Sequence, residues 1–521
     1  MRPPPHVDLN GPRVPTSPPP AAHPVVPEAD AAHSVLAALR SPRRLRTEVL
    51  AGLVVALALI PEAISFSILA GVDPRVGLFS SFVTAVSIAF LGGRPAMISA
   101  ATGAVALVVA PVVRDHGVEY LLATVILGGV VQVLLGLLGV ARLMRFIPRS
   151  VMVGFVNALA ILVFLAQLPH LVDVPWLVYP LVAVGIAIIA LLPRITAVVP
   201  APLVAIAVLT AVTVVLGLAV PRVRDQGALP DGLPSLVLPD VPLTLETLRI
   251  IAPYAVGMAL VGLLESLMTA KLVDDVTDSH SDKTREAWGQ GATNVLSGLF
   301  GGMGGCAMIG QTMVNVKVSG GRTRISTFLA GAFLLVLVVG LGDVVGAIPM
   351  AALVAVMVMV CVATFDWHSV RISTLRRMPL SETAVMLLTV GVTVATENLA
   401  YGVVAGVLLA TVLFARRVAH LTTVTRLDAS DTDGERVYAV RGELFFASSN
   451  DLVYQFDYQG DPARVVIDLS GAHVWDASTV AALDAITTKY ASKGKTAVIV
   501  GLDEDSARRH GRLAGRLGGT G

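Results

Sequence analysis

The sequence predicts an α-helical polytopic membrane protein of fourteen spans, built as two inverted halves of seven and followed by a small cytoplasmic α/β domain. Three observations predict it. Hydrophobic residues make up 55% of the 521 positions and charged residues only 14%, where a soluble domain carries about a quarter charged; mean hydropathy is +0.77. The apolar residues fall in runs separated by short polar breaks. Two of those runs, at matching positions of the two halves, are short and broken by glycine. A disulfide-rich secreted scaffold is excluded by the two cysteines, Cys306 and Cys361, both inside apolar runs. The balance of 38 basic against 37 acidic residues argues against a nucleic-acid partner.

Residues 1–42 are rich in proline and alanine, contain no apolar run, and read as a disordered tail without a signal peptide. Residues 43–420 form the membrane domain. Its first half, 43–219, holds runs near 48–70, 76–91, 97–113, 119–140, 147–168, 175–192 and 199–219. A polar loop with Pro221, Pro230, Pro234, Pro239 and Pro242 follows. The second half, 250–420, holds runs near 250–272, 285–301, 306–318, 325–342, 346–364, 382–396 and 399–416. The runs at 97–113 and 306–318 fall short of the ~20 residues that cross a hydrocarbon core. Such segments are tolerated when other helices bury them.

Loop charge sets the orientation. With the N-terminus inside, the inner loops hold Arg94, Arg142, Arg145, Arg149, Arg194, Lys271, Lys283, Arg285, Lys317, Arg322, Arg324, Arg371, Arg376 and Arg377. The outer loops hold only Arg75, Arg114, Arg222, Arg224 and Arg249. This positive-inside bias places both termini in the cytoplasm of a cell-membrane protein surrounded by lipid.

The two short runs correspond. Phe90-Leu91-Gly92-Gly93 precedes the third run and Leu299-Phe300-Gly301-Gly302 the tenth, which is the third of the second half. Seven spans per half is an odd number, so the second copy enters from the opposite face. Shortened, glycine-interrupted segments at matching positions of two halves point to a transporter's binding site. A helix that starts mid-membrane leaves about four N–H groups unpaired and a partial positive charge at its end. Two such ends form an anion site without lysine or arginine. The candidate substrate-binding residues are Ser99, Ala100, Ala101 and Thr102 in one segment and Ile309, Gly310 and Gln311 in the other.

Carboxylates at membrane depth are the second signal, because an ionisable group there is costly and by default functional. Glu62 follows Pro61 in the first run, and Glu265 sits mid-way through the eighth, with Thr269 one helical turn on. These three are the candidate coupling residues: a carboxyl in that setting can exchange a proton. Glu397 reads as an outer-surface residue.

Residues 435–521 recover charge. Segments 436–441, 464–469 and 496–500 read as strands and those near 449–457 and 478–491 as helices, an alternating β/α pattern. Ser478 suits the start of the second helix as a cap. This domain has no cysteine, no paired histidine and carboxylate, and no glycine-rich phosphate loop, and His473 and His510 read as isolated. The chain therefore reads as no enzyme, and neither a cofactor nor a metal is called for.

The chain resembles the sulfate permease (SulP) family of anion transporters with a C-terminal STAS domain. The motifs that carry the resemblance are Ala58-Leu59-Ile60-Pro61-Glu62-Ala63, Ala70-Gly71-Val72-Asp73-Pro74 with Gly77-Leu78, and Gly92-Gly93-Arg94-Pro95 with Ile98-Ser99. To these are added Val151 to Asn157, and Val314-Asn315 with Gly320-Gly321-Arg322-Thr323. The resemblance implies a core of spans one to four and eight to eleven moving against a gate of the other six, with the anion between the N-termini of spans three and ten. It also implies that the position of Glu265 governs cation coupling, glutamate going with protons and aspartate with sodium. In relatives that carry sulfate the position of Gln311 is often arginine, and the position of Glu62 is often glutamine. Ser478 occupies the position phosphorylated in related bacterial regulatory proteins, a regulatory candidate beside the plain cap. Relatives are commonly homodimers.

The expected function is secondary active transport of an inorganic anion, sulfate first, coupled to protons by alternating access. Bicarbonate transport driven by sodium or protons, a nucleobase or dicarboxylate carrier, and a passive anion channel stay open at this point.

Overall fold

The computed structural model describes residues 34–140, 142, 147–195, 200–419, 422–427 and 434–515. The expected tail lies outside the described residues up to position 33, as does Arg145. The chain gathers into two compact units. One comprises the residues up to Phe146 together with 156–366 and 393–400; the other comprises 147–155, 367–392 and 401 onward.

A short helix, α1 (Val35–Leu39), stands where the sequence reads as tail, capped by Ser34 Oγ, which accepts from Ala37 N. Next come α2 (Pro42–Ala70) and α3 (Pro74–Leu91), each with proline in its first turn, where a missing N–H costs nothing. Between them Gly71 takes the left-handed conformation, φ 78°, and donates its N–H back to Ile68 O. The Ala70-Gly71-Val72-Asp73-Pro74 motif is thus a helix stop and restart.

The series continues with α4 (Gly103–His116), α5 (Val118–Leu137), α6 (Arg149–Leu165), α7 (Val178–Leu191), α8 (Ala201–Val215), α9 (Leu245–Thr277) and α10 (Lys283–Leu299). Then come α11 (Ile309–Met313), prolonged by a π-helical turn over Val314–Val318, and α12 (Arg324–Gly340), α13 (Gly342–Gly346), α14 (Met350–Thr364), α15 (Ile372–Arg377), α16 (Leu380–Thr396) and α17 (Leu399–Ala419). A helical segment stands at every apolar run. Among the described residues, α2, α3, α5, α9, α17 and α6 with the turn that follows it are long and apolar enough to cross a membrane; α7, α8, α12, α14 and α16 are apolar but shorter.

Glycine lets α5 and α10 approach backbone to backbone. A Cβ on Gly129 would stand 2.7 Å from the carbonyl oxygen of Gly291, and one on Gly291 would stand 2.5 Å from Val133 N. In lipid, where apolar burial does not favour helix association, such close contact replaces the hydrophobic effect. Gly291→Leu is expected to lower stability by about 3 kcal/mol through overpacking, read as a lowered melting temperature in detergent. An unchanged melting temperature would contradict this packing.

The two short runs are where helix gives way to strand. Ser99–Ala100 (β1) pairs antiparallel with Cys306–Ala307 (β2), Ser99 opposite Ala307 and Ala100 opposite Cys306. The pairing is extended by Met308 N, which donates to Ile98 O at 2.8 Å. Gly305 lies so near Ala100 that a Cβ would fall 2.0 Å from its carbonyl oxygen. Neighbouring side chains pair with the remaining extended backbone: Asn294 Oδ1 accepts from Gly305 N, Gln290 Nε2 donates to Gly305 O, and Ser80 Oγ donates to Gly304 O. Non-helical backbone at this depth is tolerable because it is paired inside protein.

Buried acids explain the two Gly-Gly-Arg motifs. Glu286 Oε2 accepts from Gly93 N (2.7 Å) and Arg94 N (3.0 Å). Glu48 accepts from Arg322 N, Thr323 N and Ser326 N, closing the start of α12. At the far end of α3, Arg324 donates to Ala89 O and Gly92 O, and Arg285 to Phe90 O. These cations satisfy the orphan carbonyls of a helix C-terminus.

In the C-terminal domain β3 (Thr423–Leu427) pairs antiparallel with β4 (Glu435–Leu444), which pairs parallel with β5 (Arg464–Val474), and β5 in turn with β6 (Thr496–Val500). Helices α18 (Phe446–Leu452), α19 (Ala477–Ala491) and α20 (Glu504–Leu513) complete it. Leu444, Leu452, Val465, Ile467, Leu483 and Ile486 fill the core. Helix α18 ends at Leu452 instead of reaching 457, β5 runs on to Val474, and β3 and α20 are additions to the predicted pattern. Asp461 accepts from Tyr438 and Tyr490 hydroxyls; burial, with that carboxylate second, pushes the Tyr490 phenol up from its ordinary range. The cap of α19 is Asp476, whose Oδ1 accepts from Thr479 N at 2.9 Å, so Ser478 is not the cap but an exposed residue of the first turn.

Candidate functional site

The short segments meet at a cavity of about 330 Å³. One wall is the start of α4, at Thr102 and Gly103, with Met308, Ile309, Gly310 and Gln311 beside it. Glu62 and Phe66 of α2 and Glu265 of α9 also line it. The opposite wall is almost entirely apolar: Val156, Leu159, Ala160 and Val163 of α6, and Val360, Cys361, Ala363 and Thr364 of α14 and its end.

Why these side chains face inward follows from local structure. Pro61 lacks an N–H and interrupts the α2 hydrogen-bond ladder next to Glu62. Thr102 leaves strand geometry (φ −128°, ψ 152°) and its Oγ1 accepts from Val105 N at 3.3 Å, so α4 starts at the cavity wall. Its first-turn N–H groups and the associated partial positive charge open there. Gly310 is exposed to the opening, and a Cβ on it would meet nothing within 4 Å.

The electrostatics of the cavity are one-sided. Among the described residues, no lysine, arginine or histidine lines the cavity, whereas two carboxylates do. Glu62 Oε1 accepts from Gln311 Nε2 at 2.8 Å, and Glu265 Oε2 accepts from Cys306 Sγ at 2.8 Å. Glu62 and Gln311 also line a second cavity of about 410 Å³, with Leu50, Val54, Pro200, Pro202, Val318 and Ser319. That hydrogen-bonded pair is thus common to both.

Of the residues expected to bind substrate, Thr102, Ile309, Gly310 and Gln311 line the cavity. The other three lie behind it. Ser99 Oγ donates to Gln290 Oε1, Ala100 is held in the β ladder, and Ala101 N donates to Ser81 Oγ. Among the coupling candidates, Glu62 and Glu265 face the cavity, while the Thr269 hydroxyl donates to the backbone carbonyl of Glu265 and not to its carboxylate. Cys306, and the apolar wall of α6 and α14 apart from Val156 in the 151–157 motif, carried no signal in the sequence. A two-residue strand has no readable period, and Cys306 reads there as one more apolar residue. Exposed Ser478 belongs to the other unit. There too His473 Nδ1 lies 3.8 Å from Glu443 Oε1, a surface pair and not the isolated histidine expected. Among the described residues, no cluster of three or more His, Cys, Asp or Glu side chains could hold a metal ion.

Comparison with known proteins bears on the whole chain. The sequence pattern described as the sulfate permease family matches residues 45–180 and 177–389, and that of the STAS domain matches 426–514. A Bacillus subtilis protein named "Putative sulfate transporter YbaR" is 53% identical over 462 residues, covering 89% of this chain and 95% of its own. The bicarbonate transporter BicA of Picosynechococcus is 26% identical, covering 90% and 91%. Among solved structures, the transmembrane domain of a cyanobacterial BicA aligns with TM-score 0.62 at 26% identity over 70% of this chain and 97% of that one. Murine Slc26a9, an anion transporter in its inward-facing state, aligns with TM-score 0.77 over 89% and 87% at 16% identity.

Proposed function

Since the chain belongs to the sulfate permease family and carries a C-terminal STAS domain, we propose that it accumulates sulfate in symport with protons, using Glu265 as the coupling carboxyl. The chain is a multi-pass membrane transporter of anions and not an enzyme. In this reading the fourteen helical segments form two inverted halves, core and gate alternate the access of the cavity, both termini are cytoplasmic, and the protein works as a homodimer.

One observation supports the coupling: an anion entering the cavity would share it with Glu62 and Glu265 and, among the described residues, meet no cationic side chain. Two like charges about 4 Å apart repel by about 4 kcal/mol at an effective dielectric constant of about 20. Such a cost would cancel most of a useful binding energy, so a cation must enter with the anion, and a proton on a carboxyl removes the repulsion at its source. The start of α4 then offers N–H donors to the anion.

The test is radiolabelled sulfate uptake into proteoliposomes under an imposed proton or sodium gradient. A proton gradient alone should drive accumulation; accumulation driven only by sodium would overturn the coupling ion. Bicarbonate is the second reading, favoured by the missing cationic side chain, since a monovalent anion needs less compensating charge. Suppression of sulfate uptake by millimolar bicarbonate at fixed pH would favour it. We place any regulation at Ser478, where a phosphate would lie in the first turn of α19.

A further inference from the structure

We propose that Cys306 is a positioning residue that relays the protonation state of Glu265 to the hydroxyl of Thr102, turning that hydroxyl toward the anion when Glu265 carries a proton. The inference rests on the proton-coupled reading above.

Cys306 is fully buried in β2 and does not line the cavity, whereas Glu265 and Thr102 both do. Its Sγ stands 2.8 Å from Glu265 Oε2 and 3.0 Å from Thr102 Oγ1. One thiol therefore joins the carboxyl of α9 to the residue that starts α4.

The donors can be counted. A thiol and a hydroxyl each own one proton, and an ionised carboxylate can only accept. With Glu265 ionised, the thiol must donate to it, and Thr102 Oγ–H is then free to donate to sulfur. Thr102 Oγ1 meanwhile accepts from Val105 N, so it presents no donor to the cavity. With Glu265 protonated, the order reverses: its O–H donates to Sγ, the thiol donates to Thr102 Oγ1, and the Thr102 O–H turns into the cavity. One proton is added, at Glu265, from water; the other two only rotate, and no covalent bond to carbon or sulfur changes.

A separate feature marks the cavity as a ligand site. Gln311 is 6% exposed, lines the cavity, and its Oε1 has no hydrogen-bond partner among the described residues. A buried acceptor of this kind awaits a donor, as a protonated or hydrated anion would bring. Besides Glu265, the titratable groups that line the same cavity are Glu62 and Cys361. Charged residues of the helices packed on α9 stand at their ends: Arg114, Asp115 and His116 on α4, Glu119 on α5, and Lys283, Arg285 and Glu286 on α10.

The experiment measures the sulfate KM of the full chain in proteoliposomes between about pH 6 and pH 8. Wild type should show a KM rising about tenfold over that range, the worth of one hydrogen bond to an anion. Cys306→Ala should flatten the rise, and Cys306→Ser, which keeps one donor and two acceptors, should restore it. If wild type itself shows no dependence on protons, the coupled reading fails and the relay falls with it. If wild type is coupled and Cys306→Ala keeps the full rise, the relay alone is overturned. Loss in both variants would also overturn it, since packing would then explain the effect. Should Cys306→Ala not assemble, Thr102→Val with the thiol intact breaks the relay at its other end and must flatten the same profile; a retained rise there overturns the relay.

Discussion

Glu265→Gln is expected to abolish proton-driven accumulation while leaving a folded protein that still equilibrates sulfate. The substitution is close to isosteric, and a glutamine Oε1 can accept the Cys306 thiol as the carboxylate does now at 2.8 Å. What the variant cannot do is gain and lose a proton. With the membrane potential clamped, each coupled proton supports about a tenfold concentration ratio per unit of pH difference, or about 1.4 kcal/mol. Wild type in proteoliposomes with a one-unit inward gradient should therefore exceed equilibrium about tenfold or more, and the variant should stop at equilibrium. Counterflow exchange of labelled for unlabelled sulfate should persist in the variant. Retained uphill uptake would remove Glu265 from the coupling and leave Glu62, the other carboxyl of the cavity, as the candidate.

That cavity shows which features a sequence carries. Helix positions were legible because apolar runs are punctuated by residues with a fixed physical effect, such as Gly71 in the left-handed conformation and Pro74 in a first helical turn. The short runs were legible as a matched pair, and Glu62 and Glu265 stood out because acids are rare among apolar neighbours. The short helix over Val35–Leu39 was hidden by its proline- and alanine-rich surroundings. Within 99–102 the sequence could not tell which residue faces the cavity. Side chains alternate in extended chain, and the register of β1 on β2 turns Ser99 toward Gln290 and leaves Thr102 at the opening. Cys306 was invisible for the same reason, because its partners come from 41 and 204 residues away.

The Asp476 cap shows the same limit on a smaller scale. Asp476 and Ser478 are both good capping residues, and composition alone cannot choose between them. The backbone chooses: Asp476 keeps extended geometry, φ −140° and ψ 174°, and its carboxylate reaches Thr479 N. Ser478 stands exposed in the first turn.

Gly310→Leu should reduce sulfate uptake by about a hundredfold with little change in melting temperature. Most buried glycines here cannot be tested this way, because a side chain would collide with backbone, as Gly305 would with Ala100 O. Gly310 is different: it faces the opening, has no atom within 4 Å of an added Cβ, and does not adopt a positive φ. A leucine there leaves the fold intact and fills the space beside Gln311 and Thr102. It would hold the anion away from the donors at the start of α4, and a charge-assisted hydrogen bond is worth about 1.5–3 kcal/mol, which at the upper end is about a hundredfold in affinity. The side chain would also hinder closure of the apolar wall formed by α6 and α14, so maximal rate and KM should suffer together. An Ala variant, smaller and still open at the backbone, should fall between the two. Wild-type uptake by Gly310→Leu would mean that the anion is held elsewhere, and the second cavity beyond the Glu62–Gln311 pair would become the place to look.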